Sequence, residues 1–414
     1  MSSSSPRNQR LHIGFFGRRN VGKSSLLNAV TRQEVSIVSG TPGTTTDPVE
    51  KPMELSPLGP VVFIDTAGVD DEGALGALRI GKTRGVLDRV DLAVLVAEAA
   101  VWGPFEEGLL EELRRRETPV VAVLNKADLA AAPVGVREKL AERGVPAVET
   151  AAPEGRGIGD LRRAILLAAP AEALEARRIV GDLVSDGDLV VLVVPVDKEA
   201  PKGRLILPQV QTIRDLLDAD AYCLVVKERE LAAALARLTA PPRLVVTDSQ
   251  AFLKAAADTP PGTALTSFSI LFARYQGDLP TMVRGTLAVE RLKRGDRVLV
   301  AESCTHHPVG EDIGRVKIPR WLRQYTGLPL EFDHVAGRDF PEDLGRWALV
   351  VHCGNCMGNR KEMLSRLLKC REAGVPVTNY GLTIAYSLGI FERALEPFPA
   401  ALEAARQARR EVRA

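Results

Sequence analysis

At 414 residues the chain has room for two or three domains, and 45% hydrophobic residues provide cores rather than a disordered polymer. A net charge of +1 gives no basic field, so nucleic acid is not expected as a partner. No apolar run approaches the ~20 residues that cross a bilayer, and five cysteines do not make a disulfide framework.

In chain order, residues 1–10 are expected to be a disordered lead, because the Ser-rich start has no apolar core of a secretory signal. Residues 11–170 alternate strand and helix patterns. The runs 11–17, 61–65, 92–97, 120–125 and 145–148 have buried-strand character, and 26–30 continues a helix. Such alternation predicts a parallel sheet covered on both faces. Residues 171–182 read as a helix or linker. A second α/β block, 171–265, has strand-like runs at 189–196, 221–226 and 244–247 and helical segments at 209–217 and 228–238. It holds no cluster of chemically active residues, so a structural or self-association role is expected. The third block, 266–414, follows the Pro260-Pro261-Gly262 break. Its runs 297–301 and 348–352 lead into Cys and His residues, and 400–414 reads as a terminal helix.

Gly17-x4-Gly22-Lys23-Ser24 follows a strand and opens a helix, the context a phosphate-binding loop demands. The backbone N–H groups around Asn20, Val21 and Gly22, continuing through Ser24 and Ser25, can surround phosphates at a helix N-terminus. Lys23 can reach the β- and γ-phosphates and Ser24 can ligate Mg²⁺. Asp65-Thr66-Ala67-Gly68 ends a strand, so Asp65 can hold Mg²⁺ through water and the Gly68 N–H can sense the γ-phosphate. A phosphate loop points to the cytoplasm, where thiols stay reduced.

Six of the ten Cys and His residues fall in Cys304-Thr305-His306-His307 and His352-Cys353-Gly354-Asn355-Cys356. Cys353-x-x-Cys356 places two thiols within reach of one centre, and Cys304 supplies a third. Zinc and an iron–sulfur cluster both suit these residues. Cys223, Cys370, His12 and His334 read as structural.

Asn125-Lys126-Ala127-Asp128 resembles the guanine-reading element of GTPases, with Asp128 accepting the two N–H donors of guanine. Thr150-Ala151-Ala152 is similar to the last nucleotide loop of that fold. Gly43-Thr44-Thr45-Thr46-Asp47 resembles the first switch of TrmE/Era-type GTPases, which makes Thr45 a second Mg²⁺ ligand and Asn20 a K⁺ ligand. Val69 stands where Ras-like proteins have a water-positioning Gln, so GTP hydrolysis should be slow.

Together with the Cys-x-His and His-Cys-x-x-Cys elements, these motifs resemble the [FeFe]-hydrogenase maturation GTPases over nearly the whole chain. The resemblance implies an α/β protein: a P-loop GTPase domain followed by two smaller α/β domains with mainly parallel sheets, the middle one for dimerisation. It implies GTP, Mg²⁺, K⁺ and a [4Fe–4S] cluster on Cys304, Cys353 and Cys356, with His306 or His352 as a possible fourth ligand. It also implies a homodimeric scaffold or carrier for the di-iron precursor of the hydrogenase active site, working with radical-SAM maturases and the hydrogenase. The alternative reading is a TrmE/Era-like GTPase acting on RNA, with a structural zinc site.

Overall fold

The computed structural model describes residues 6, 9–31, 48–56, 58–66, 85–170, 177–195, 205–304, 312–337 and 339–413. The expected sites Thr45, Gly68 and His306 lie outside them, as do Ala67 and His307. The chain divides into two compact units, residues 1–176 and 177–414.

Among its described residues the first unit is built on one six-stranded sheet. Its strands are β1 (Leu11–Phe16), β2 (Val49–Leu55), β3 (Gly59–Asp65), β4 (Leu92–Glu98), β5 (Val120–Asn125) and β6 (Ala147–Glu149), in the order β2-β3-β1-β4-β5-β6. β1, β3, β4, β5 and β6 run parallel, with Phe15 opposite Asp65 and Glu98 opposite Asn125. β1 and β5 are buried along their whole length. Both their faces are covered, which is why they read as continuous apolar runs rather than alternating ones. The sequence gives no sign of β2. It is a half-exposed antiparallel edge strand containing Pro52, and an edge tolerates a residue that cannot donate to the ladder.

The second unit has two four-stranded sheets among its described residues, both parallel in every pairing. One holds β7 (Leu189–Val193), β8 (Tyr222–Val226), β9 (Leu244–Thr247) and β10 (Ala264–Ser267), in the order β10-β9-β7-β8. The other holds β11 (Arg297–Glu302), β12 (Glu331–Ala336), β13 (Leu349–His352) and β14 (Val377–Asn379), in the order β12-β11-β13-β14. β10 straddles the 265/266 boundary suggested by the sequence. The next helix, Phe268–Gln276, follows it directly, with Ser267 accepting a hydrogen bond from the Ile270 N–H as its N-cap. A single buried core runs from Val190 and Val245 through Phe272 and Met282 to Val300 and Val351, so the two sheets share one hydrophobic interior. The fold is thus α/β with mainly parallel sheets, and the sites lie beyond the carboxyl ends of central strands.

Candidate functional sites

The nucleotide loop is shaped by two glycines. Gly17 has φ +146°, and a Cβ there would lie 2.1 Å from the Val96 carbonyl oxygen. Gly22 has φ +93°, and its Cβ would lie 2.3 Å from Asn125 Nδ2. Any side chain at either position would have to displace backbone or a buried amide. Asn20 takes the left-handed conformation, φ 61°, and is exposed. Val21 is buried, and Lys23 opens the helix Lys23–Thr31. Lys23 is only 7% exposed, and its ammonium donates to the carbonyls of Gly17, at 3.0 Å, and Arg18, at 2.6 Å. These contacts curl it along the inside of the loop.

Ser24 Oγ donates to Asp65 Oδ2 at 2.5 Å. Asp65 Oδ1 is buried with no hydrogen-bond partner among the described residues. Burial raises the Asp65 carboxyl above its ordinary range, against the opposing effects of the Ser24 hydrogen bond and the charges of Lys23 and Lys51. Lys51, buried on β2, is pushed the other way by its own burial. A hydroxyl and an orphaned, charged carboxylate oxygen beside it suit a hydrated Mg²⁺.

Asn125 joins the three nucleotide segments. Its Nδ2 donates to the Val21 carbonyl at 2.8 Å, its Oδ1 accepts from Thr150 Oγ1 at 2.9 Å, and the Thr150 carbonyl accepts from the Ala127 N–H at 3.1 Å. Lys126 is left-handed, φ 60°, and its ammonium pairs with Glu98 at 2.5 Å. Asp128 is exposed at the rim. Thr150 and Ala151 are fully buried and Ala152 nearly so, with Ala151 bridged to Arg156. The sequence did not single out Glu106, which is fully buried and holds the loop residue Arg18 at 2.8 Å. Arg18 also lies over the Phe105 ring, 5.0 Å from its centroid.

The cysteine centre forms where two adjacent strands end. β11 leads to Ser303 and Cys304, and β13 leads to Cys353. The Cys353 N–H donates to the Ala301 carbonyl at 2.9 Å, and the Ser303 N–H donates to Cys353 Sγ at 3.3 Å. The Cys356 thiol is pushed up to about 12, first by burial and then by the charges of Cys353 and Cys304. Burial also raises the Cys353 thiol. Even so, among the described residues no group of three His, Cys, Asp or Glu side chains is arranged to hold a metal ion. The donor chemistry fits a thiolate-bound centre, while the side chains do not form a closed ligand set.

His352, the last residue of β13, is fully buried. Its Nδ1 lies 2.8 Å from the Cys353 carbonyl and its Nε2 lies 2.8 Å from an Arg366 nitrogen. A carbonyl only accepts and a guanidinium only donates, so Nδ1 carries the proton and Nε2 carries the accepting lone pair. Desolvation, reinforced by the Arg366 charge, lowers its pKa to about 3. Arg366 was not foreseen. The available signal is an arginine at 366 on the buried face of the helix Arg360–Glu372, among Met363, Leu367 and Cys370. Cys370 is fully buried and Cys223 partly so, as expected of packing thiols. His12 and His334 are held near the carbonyls of Arg10 and Gly314.

The sheet, the glycine-shaped loop and the Asn125 hub define a P-loop guanine-nucleotide-binding domain followed by a two-sheet unit with a cysteine centre. Family models agree: a 50S ribosome-binding GTPase matches residues 12–126, a hydrogen maturase F dimerization domain matches 179–277, and a hydrogen maturase F tetramerization domain matches 280–397. The last two together span more than half of the chain, and the chain belongs to the hydrogen maturase F family. Among curated relatives, tRNA modification GTPase MnmE of Synechococcus sp. (strain JA-2-3B'a(2-13)) is 39% identical over 157 residues, 37% of this chain and 32% of the relative. GTPase Era of Caldicellulosiruptor saccharolyticus is 38% identical over 121 residues, 28% of this chain and 40% of Era. The chain thus spans only about a third of the length of the MnmE relatives it matches. Among solved structures, the G domain of the T. maritima FeoB iron transporter is 24% identical with a TM-score of 0.30, covering 38% of this chain and 98% of that one.

Proposed function

We propose that this chain is a GTP-hydrolysing scaffold for assembly of the [FeFe]-hydrogenase active site. Its first unit binds GTP with Mg²⁺ on Ser24 and Thr45 and, through water, on Asp65. Lys23 and the loop N–H groups hold the phosphates, Asp128 reads guanine, and Asn20 takes K⁺, which speeds an otherwise slow turnover. Its second unit holds a [4Fe–4S] cluster through Cys304, Cys353 and Cys356. When bound, such a cluster offers an iron whose fourth position can exchange. The cargo is the di-iron precursor, the partners are radical-SAM maturases and the hydrogenase, and the setting is cytoplasmic.

The observation that supports this reading is the pairing of β11 with β13, which ends Ser303-Cys304 beside Cys353, with the Ser303 N–H donating to Cys353 Sγ at 3.3 Å. Self-association follows from the two family domains. It is supported by the edge strand β8, which leaves Tyr222 67% and Val225 42% exposed. No helix among the described residues is long and apolar enough to cross a membrane.

The test is anaerobic reconstitution with iron and sulfide, followed by metal and sulfide analysis. Cys304→Ser should keep GTP hydrolysis but lose cluster binding and hydrogenase activation. Retained activation by that variant counts against the scaffold. The rival, an RNA-directed GTPase with structural zinc, predicts zinc uptake without sulfide. The near-neutral charge and the two family-specific domains favour the scaffold.

A further inference from the structure

Each polar atom of Cys353 is engaged. Its N–H donates to the Ala301 carbonyl, its sulfur accepts from the Ser303 N–H, and its carbonyl accepts from His352 Nδ1–H. The histidine is held in turn. Asn379 Nδ2 lies 3.4 Å from its carbonyl, and its Nε2 accepts from Arg366 at 2.8 Å. Arg366 is 5% exposed and fixed on every side: it donates to the Gly337 carbonyl at 2.6 Å, pairs with Glu362 at 2.7 Å and lies over the Phe340 ring, 5.1 Å from its centroid. Glu362 itself sits in the first turn of its helix, with its N–H capped by Asn359.

We infer that His352 and Arg366 are a positioning pair for Cys353, and that His352 is not a ligand of the centre. This rests on the cluster reading above. Both ring nitrogens are already used, one by its proton and the other by a cationic donor. A metal on Nε2 would have to displace a guanidinium that Gly337, Glu362 and Phe340 hold in place, and would leave a buried cation short of a partner. The arrangement follows a common pattern in which a group behind a ligand fixes that ligand's direction. Here the imidazole holds the main chain of the cysteine rather than the metal.

The first test uses the protein without iron. Two-bond proton–nitrogen spectra of ¹⁵N-labelled wild type should show His352 as the Nδ1–H tautomer with an unprotonated Nε2, and the opposite tautomer overturns the pair. In the reconstituted, reduced protein, pulsed EPR should show no nitrogen coupling that disappears in His352→Gln; such a coupling, lost in that variant, overturns the non-ligand assignment. Iron affinity should fall ~10–100-fold in His352→Ala and in Arg366→Met. His352→Gln should recover most of it, because an amide can both donate and accept. Unchanged affinity in the Ala and Met variants, or no recovery with Gln, overturns the positioning role. If wild type takes up no iron and sulfide, the cluster reading fails, while the tautomer spectrum still decides the pair.

Discussion

Ser24 and Asp65 meet across a 2.5 Å hydrogen bond that ties the start of the first helix to the end of β3. Among the described residues the other Asp65 oxygen has no hydrogen-bond partner, and burial makes ionisation of this carboxyl unfavourable. Ser24→Ala leaves that carboxylate without its hydrogen bond and should lower stability without nucleotide by about 1–3 kcal/mol. Asp65→Asn removes the charge. It should leave that stability equal or higher while abolishing the extra stabilisation that Mg²⁺ adds to GTP. Thermal unfolding with GTP, with and without Mg²⁺, measures both, and full Mg²⁺ dependence in Asp65→Asn would contradict the assignment.

Asp128 stands exposed just beyond the Asn125 hub, and it is the residue proposed to accept hydrogen bonds from guanine. An amide at this position can no longer accept both guanine N–H groups, but it can donate to the extra carbonyl of xanthine. Asp128→Asn should weaken GTP binding ~100-fold or more and gain xanthosine triphosphate. Equal GTP affinity in wild type and variant would show that guanine is read elsewhere. Asn125→Ala should act differently. It unties Val21 from Thr150, so it should weaken both nucleotides and also lower stability in their absence.

Asn20 is exposed and holds a left-handed backbone in the Gly17–Ser24 loop, and it is the residue proposed to take K⁺. GTP turnover should be faster in K⁺ than in Na⁺ at equal ionic strength. Asn20→Ala should erase the difference while keeping the slow basal rate. Equal wild-type rates in the two salts would remove the K⁺ site.

β8 ends its sheet with one hydrogen-bonding edge unpaired by any described strand, and Leu217 on the preceding helix Leu207–Leu217 is 57% exposed. A long-chain charge on that edge opposes strand or surface pairing. Tyr222→Lys with Val225→Lys should shift the oligomer toward smaller species in sedimentation or light scattering, with GTP hydrolysis retained. An unchanged oligomer would place self-association on another surface.

Much of this molecule was legible from local pattern. The apolar runs 61–65, 92–97, 120–125 and 244–247 each fall on a strand, because central parallel strands bury both faces and carry no polar alternation. The edge strands β2 and β12 were not legible. Both are half-exposed and polar, so their sequences lack the signal that burial imposes. β10 was not read as a strand, and the 265/266 boundary falls inside it, because a Pro-Pro-Gly turn breaks the local chain whether or not the sheet continues beyond it.

The sequence alone determined the nucleotide chemistry, since phosphate and base recognition depend on short contiguous motifs whose glycines and caps act within a few residues. Only the tertiary structure decided how those motifs are joined and what the late imidazole does. The pairing of β11 with β13 brings Cys304 and Cys353 to one sheet end. A helix packed on that sheet delivers Arg366 to His352. Partners so far apart along the chain are chosen by strand register and by which helix face is buried, and neither is written in the residues flanking the site.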